Sequence, residues 1–197
     1  AEWRRAGILR ADDAPCLYAL RRRDVDGNEF VGVFCALGVE SGVDATPDAT
    51  REAIRGGCTL LILSDRSAKR ERPPIPSLLA LRAVVDVLER EGHRLDGSII
   101  VETSDARTTH QVAALIGFGA SAVCPTLAFH LASQGEDPQA RARRARAAYE
   151  AGLLKIMSKV GISSVLGYQG SRLYTPIGLG QRFLDRWFRG ERSLLGG

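Results

Sequence analysis

From residue 58 onward the chain repeats one texture: an apolar run, a polar loop, an amphipathic stretch. This repetition limits the fold more than any single residue does. CTLLILSD (58–65) is a nearly continuous apolar run ending in polar residues, the pattern of a parallel strand covered on both faces. Residues 76–91 then set Leu81, Val84, Val85 and Leu88 at helical spacing behind Pro76-Ser77, and Gly92 supplies the stop. GSIIVETS (97–104) reads as the next strand, Val112, Leu115 and Ile116 mark the next helix, and ASAVCPT (120–126) is a third strand. Right-handed βαβ crossovers in succession build either an open sheet or part of a barrel. The predicted class is therefore α/β, with mostly parallel βα units resembling a partial barrel or open sheet.

The flanks extend this frame. Residues 16–37 alternate apolar and polar around Asp26-Gly27, which predicts an N-terminal β-hairpin. After a loop at 38–47 comes a short helix, with Asp44 or Thr46 as N-cap, Pro47 in its first turn and Gly56-Gly57 as its stop. The longest helical pattern, 139–160, places Ala142, Ala145, Tyr149, Leu153, Ile156 and Val160 on one stripe, with Arg141, Arg144, Lys155 and Lys159 on the neighbouring shoulder. Gly152 costs about 1 kcal/mol relative to alanine in a helix interior, which allows two helices meeting there. Gly161 ends the pattern, ISSVLGY (162–168) reads as a fourth strand, and a last helix at 180–189 sets Phe183, Trp187 and Phe188 on the core.

Composition narrows the function classes. A 45% hydrophobic and 25% charged fraction belongs to a globular chain rather than a disordered one. No apolar run nears the roughly 18 residues of a spanning helix, and residues 1–10 lack the apolar core of a secretory signal. The expectation is a cytoplasmic protein without a membrane partner. Cys16, Cys35, Cys58 and Cys124 show no CxxC, and His93, His110 and His130 form no close pair, so neither a zinc site nor a disulfide framework is predicted. The net charge is +4, but of 27 basic residues 24 are arginine and only three are lysine. Such a bias along the whole chain reads as coding preference, and a solvated helix face explains Arg141–Arg146 better than nucleic-acid binding does. The chain opens on Ala1 and its one methionine is Met157, which suggests a processed chain or a segment of a longer one.

Sites in parallel α/β folds gather at the carboxyl ends of strands. Here those ends carry Ser64-Asp65-Arg66, Glu102-Thr103-Ser104-Asp105, Pro125-Thr126 and Tyr168-Gln169-Gly170. Asp65 and Glu102 have the chemistry of a general acid/base pair. The competing structural reading has Ser64 and Asp65 capping a loop, Asp105 capping a helix, and Glu102 paired with Arg66 or Arg107. The glycine pairs in GFG (117–119) and GYQG (167–170) match neither GxGxxG nor GxxxxGK[ST], and turn chemistry accounts for them. Taken alone, these residues assign no reaction.

Several stretches together resemble a known family: LLILSDR (60–66), PPIPSLLALRAVVDVLEREG (73–92), VETSDAR (101–107), LIGFGASAVCPTLAF (115–129), GLLKIMSKVGISS (152–164) and YQGSRLYTPIGL (168–179). They are similar to the large subunit of glutamate synthase, in the later part of its central domain, between the glutamine amidotransferase and the FMN-binding synthase domains. The resemblance runs from about residue 56 to 197 and leaves residues 1–55 unassigned. It implies a non-catalytic domain that links the two active sites and helps to form the path for ammonia. It also implies amidotransferase and synthase partners, with FMN and an iron–sulfur cluster held elsewhere in the parent enzyme and no catalytic, cofactor or metal residue in this segment. Val84, Val85, Asp86 and Val87 replace a histidine-rich helix usual in the family, and Cys124 replaces an asparagine. Two further readings stay open. One is a small independent α/β enzyme that binds a phosphorylated ligand or flavin at the strand ends; the other is a nucleic-acid module. The residues to follow are Ser64, Asp65, Arg66, Glu102, Lys155, Lys159 and Tyr168, the two lysines as interface residues where a compact ammonium is wanted.

Overall fold

A computed structural model describes residues 46–66, 68–71 and 73–195, and the backbone of 16–23 and 29–38. The elements run β1 (Cys16–Arg23), β2 (Glu29–Gly38), α1 (Thr46–Arg55), β3 (Leu60–Ser64), α2 (Ser77–Arg90), β4 (Ser98–Thr103), α3 (Thr109–Gly117), β5 (Ala122–Pro125), α4 (Thr126–Ala132), α5 (Pro138–Lys159), α6 (Val165–Tyr168) and α7 (Gln181–Trp187). The five strands form one sheet in the order β1-β2-β3-β4-β5. β1 and β2 are antiparallel, Cys16 facing Ala36 and Arg23 facing Glu29, as the hairpin expectation requires; its Asp26-Gly27 turn and Asp44 lie outside the described residues. From β2 to β5 the strands are parallel, so the class is α/β with an open sheet rather than a closed barrel.

Sequential strand order with right-handed crossovers puts the connecting helices on one face. On that face Leu61, Leu63, Ile99 and Val101 are buried together with Leu81, Val84, Val85 and Leu88 of α2 and Val112, Leu115 and Ile116 of α3. The alternate residues of the same strands, Leu60, Ile62 and Ile100, are only half-buried. Among the described residues the run at 58–65 is therefore covered fully on one face and only partly on the other.

Helix ends follow local chemistry. Thr108 and Gln111 form a capping box at α3, the Thr108 hydroxyl accepting from Gln111 N and the Gln111 carboxamide accepting from Thr108 N. Asp137 caps α5, accepting from Ala140 N at 3.0 Å, with Pro138 in the first turn. α1 stops before Gly57, whose φ of +81° an L side chain rarely adopts.

Three expectations change. α5 is one helix through Gly152, where a Cβ would meet Thr109 Cγ2 at 2.6 Å. The glycine serves close packing of α5 on α3. Its apolar stripe closes on Met157, 1% exposed; Val160 is the C-cap, beyond the last full turn, and stays exposed. Residues 162–168 do not add a strand. Ser164 accepts from Gly167 N and starts the short α6, while Gly170 N and Arg172 N donate to the carbonyls of Ile116 and Gly117, which pins the segment to the end of α3 instead of the sheet edge. In α7, Leu184 is buried in place of Phe183; Trp187 is half-buried and Phe188 buried against the core.

Candidate functional site

Register decides which strand-end residues can meet. Ser64 faces Glu102 across β3 and β4, and Glu102 faces Cys124 across β4 and β5, so these three share the half-covered face. The Ser64 hydroxyl donates to Glu102 Oε2 at 2.7 Å, and Arg66 Nε donates to Oε1 at 2.6 Å. Both carboxylate oxygens are thus occupied. Burial pushes the Cys124 thiol up, Glu102 pushes it further, and Arg66 partly opposes them. A thiol so placed stays protonated at neutral pH and is a poor nucleophile.

Asp65 lies one residue further on and points to the opposite, helix-covered face. Its Oδ2 accepts from Thr103 Oγ1 at 2.9 Å, Ser104 N at 2.7 Å and Ser104 Oγ at 2.8 Å. Thr103 Oγ1 also accepts from Asp105 N and is bonded to the Ser77 hydroxyl, which in turn lies 3.2 Å from Asp105 Oδ2. Asp105 Oδ2 accepts from Ser77 N, the first N–H of α2, whose N-cap Pro76 offers no side-chain acceptor. These bonds tie the start of α2 to the ends of β3 and β4. Strand alternation places Asp65 and Glu102 on opposite faces, so they do not converge as an acid/base pair.

The remaining candidates separate from these. Tyr168 is buried, its hydroxyl 2.6 Å from that of Tyr174, and burial followed by this bond raises the Tyr174 phenol well above the usual tyrosine range. A Cβ on Gly117 would meet the Tyr174 ring at 2.9 Å, so this glycine is a packing requirement. Gly119 N, Gly167 N and Gly170 N each donate within the protein, which leaves those N–H groups unavailable to a phosphate. The Gly119 carbonyl accepts from Arg94 and Gln169, two partners with no sequence signal. Lys155 and Lys159 are exposed on the last turns of α5. The sequence also gave no sign of Arg82, which is 1% exposed on α2, with Nε unbonded and Glu89 Oε2 at 3.8 Å.

Among the described residues no three His, Cys, Asp or Glu side chains converge as a metal site. Cys58 is buried and Cys124 half-buried, and an iron–sulfur cluster needs about four thiolates. At the strand ends Arg66 N donates to Ser64 Oγ and Ser104 N to Asp65, so a flavin phosphate finds no free backbone cradle there. The strand ends thus offer neither group its usual ligands. Their polar clusters are braces between strands and a helix start.

The sequence profile of the glutamate synthase central domain matches residues 5–180, beginning well ahead of residue 56. The chain is 36% identical over 209 residues to the chloroplastic ferredoxin-dependent glutamate synthase of Spinacia oleracea, covering 96% of this chain and 12% of that protein. It is 38% identical over 178 residues to the glutamate synthase [NADPH] large chain of Bacillus subtilis, covering 86% of this chain and again 12% of the relative. The chain thus spans about an eighth of these relatives' length. Among solved structures, an L230A mutant flavocytochrome b2 with benzoylformate aligns with a TM-score of 0.58 at 17% identity, over 69% of this chain and 33% of that one. The recombinant flavin-binding domain of baker's yeast flavocytochrome b2 aligns at 0.51 and 16% identity, over 82% and 41%. At such identities the likeness is one of fold alone.

Proposed function

Because the chain belongs to the family of glutamate synthase central domains, we propose that it works as the later part of such a domain, non-catalytic in itself. It links an amidotransferase domain to an FMN-binding synthase domain and contributes to the wall of the ammonia path between them. The family match over residues 5–180 carries this reading. The strand ends support it. In an enzyme of this class they would present free acids, bases or N–H groups, whereas here both oxygens of Glu102 and the inward oxygen of Asp65 are engaged in bracing. FMN and the iron–sulfur cluster then belong to the rest of the parent enzyme, and residues 56–197 contribute its α/β framework.

The test is direct. The purified chain, given glutamine, 2-oxoglutarate and a reductant, should form no glutamate above background, while the intact large chain that carries it should. Glutamate formed by the isolated chain refutes the reading. An FMN titration adds a second measurement: a real flavin site would stabilise the chain by about 2.7 kcal/mol at a hundredfold excess over Kd. No change in melting temperature is expected.

A further inference from the structure

Arg82, on α2, carries a charge that its neighbours do not balance. It is 1% exposed, and its Nε has no hydrogen-bond partner among the described residues. Glu89 Oε2 lies 3.8 Å from its Nη2, beyond hydrogen-bond reach, and Glu89 is already paired: Arg172 Nη2 donates to both of its oxygens, at 3.0 and 2.9 Å. Asp86 is likewise engaged, by Arg90 at 2.6 Å and by Arg189 at 3.8 Å. Burial pushes the Arg82 guanidinium down from its usual range and Arg172 pushes it further, with Glu89, Asp86 and Glu191 opposing. It stays protonated at neutral pH, since a guanidinium does not give up its proton there. Around α2, then, Arg82, Arg90, Arg172 and Arg189 share the carboxylates of Asp86, Glu89 and Glu191, and Arg94 also draws on Glu89. Positive charge is in excess, and part of it sits on a buried group, where an unpaired charge is most costly.

The opposing wall is strained. Arg172 has a φ of +52°, in the left-handed region that an arginine rarely adopts. Its N–H donates to the Gly117 carbonyl at 2.9 Å and its Nη1 to the Arg189 carbonyl at 3.2 Å, so the turn after α6 delivers this guanidinium to α2 in a fixed position. Ser171 beside it holds the other buried side-chain atom without a partner among the described residues, its Oγ. Backbone strain and orphaned polar atoms are features that gather at functional positions.

We infer that Arg82 and Arg172 hold a small monovalent anion, of chloride type, between α2 and the 170–172 turn. The ion accepts from Arg82 Nε and supplies the negative charge that Glu89, paired with Arg172, does not. A water molecule satisfies Nε but leaves the buried charge uncompensated. A tetrahedral oxyanion needs donors around several oxygens, whereas one fully buried N–H beside a second guanidinium suits a monoatomic ion. The Arg172 and Glu89 side chains are 28% and 42% exposed, so the ion reaches Arg82 from solvent past them. Arg172 and Arg189 fasten the segment after α6 and the end of α7 to α2, and an ion at their centre stabilises that junction. The site is independent of the central-domain reading.

Exchanging gluconate for chloride at constant ionic strength tests it, because general screening is then unchanged. Chloride should raise the melting temperature of the purified chain by at least about 2 °C and broaden the chloride NMR line in its presence. Arg82→Met should lose both effects while melting in gluconate no lower than the unsubstituted chain. Arg143→Gln, at an exposed arginine of α5, should keep both. Crystals of the unsubstituted chain grown in bromide should show anomalous scattering in contact with Arg82 Nε, a readout that needs no variant. Equal melting temperatures in the two salts, a chloride effect that survives Arg82→Met, or bromide crystals in which only water meets Nε would each overturn the inference.

Discussion

Removing the Asp65 carboxylate should destabilise the fold rather than any chemistry. Asp65 is 6% exposed and its Oδ2 accepts three hydrogen bonds, from the Thr103 hydroxyl, the Ser104 N–H and the Ser104 hydroxyl. Asp65→Ala leaves all three donors without an acceptor. Each buried donor so orphaned costs about 1–3 kcal/mol, but the Ser104 hydroxyl can rotate toward water, so about 3–4 kcal/mol is the expected total. Asp65→Asn keeps one acceptor oxygen and loses the charge assistance, at about 1–2 kcal/mol. With a urea slope of roughly 2–3 kcal/mol/M, Asp65→Ala lowers the midpoint by more than about 1 M. Glu102→Gln is the control. The Arg66 side chain of its ion pair is 55% exposed, so screening holds the loss to about 1 kcal/mol or less. Urea unfolding followed by far-UV circular dichroism measures all three. Equal midpoint shifts for Asp65→Ala and Glu102→Gln, or a shift of under about 0.3 M for Asp65→Ala, would refute the brace assigned to this network.

Three further outcomes follow from the packing. Gly152→Ala should lose about 1–3 kcal/mol despite alanine's better helix propensity, because its Cβ meets Thr109 Cγ2 at 2.6 Å; adding Thr109→Ala should recover most of the loss in a double-mutant cycle of thermal unfolding. Arg82→Met should be neutral or stabilising in urea, since the guanidinium is buried with Nε unbonded, whereas Glu89→Gln should cost more by removing the counter-charge of both Arg82 and Arg172. For Cys124, whose thiol is raised by burial and then by Glu102, Glu102→Gln should speed alkylation by N-ethylmaleimide at pH 8 and Arg66→Gln should slow it. A raised folded thiol favours the protonated fold, so its stabilisation is complete below the ordinary thiol range and is lost as pH rises through the folded value.

Periodicity was sufficient where one element answers to one pattern. β3, β4, α2 and α3 lie where their apolar runs and glycine stops put them, because hydrophobic spacing and caps are local. Parity was missing from the reading of the strand ends. Asp65 and Glu102 look like a pair along the sequence, yet the Ser64–Glu102 register sends them to opposite faces. ISSVLGY has the composition of a strand, and its outcome depends on distant atoms: the Ile116 and Gly117 carbonyls that accept from residues 170 and 172, and the Tyr174 hydroxyl that bonds Tyr168. α4 follows β5 with no intervening loop and no side-chain cap at Pro125, so the sequence carried no start signal for it. Gly152 reads as a weak point in a helix and Gly117 as turn chemistry, but each clears a specific side chain, Thr109 or Tyr174, that lies far away in sequence.

The two faces of the sheet connect fold to function. Strands laid down in sequential order put every crossover helix on one side, the first step toward a barrel, and in a barrel the other face is covered by the remaining strands as they close the circle. Here the sheet stops at β5, and Leu60, Ile62 and Ile100 stay half-buried behind the polar row of Ser64 and Glu102. In a closed barrel the carboxyl strand ends surround a common pocket, and free acids and N–H groups there meet one substrate. In an open arc they have no common centre, and the same residues gain more from bonding one another: Ser64 and Arg66 to Glu102, Ser104 and Thr103 to Asp65, Asp105 to the start of α2. Among the described residues most of the exposed large apolar side chains lie instead between residues 154 and 195. The proposed linking role therefore draws on an open α/β arc whose strand ends are braced.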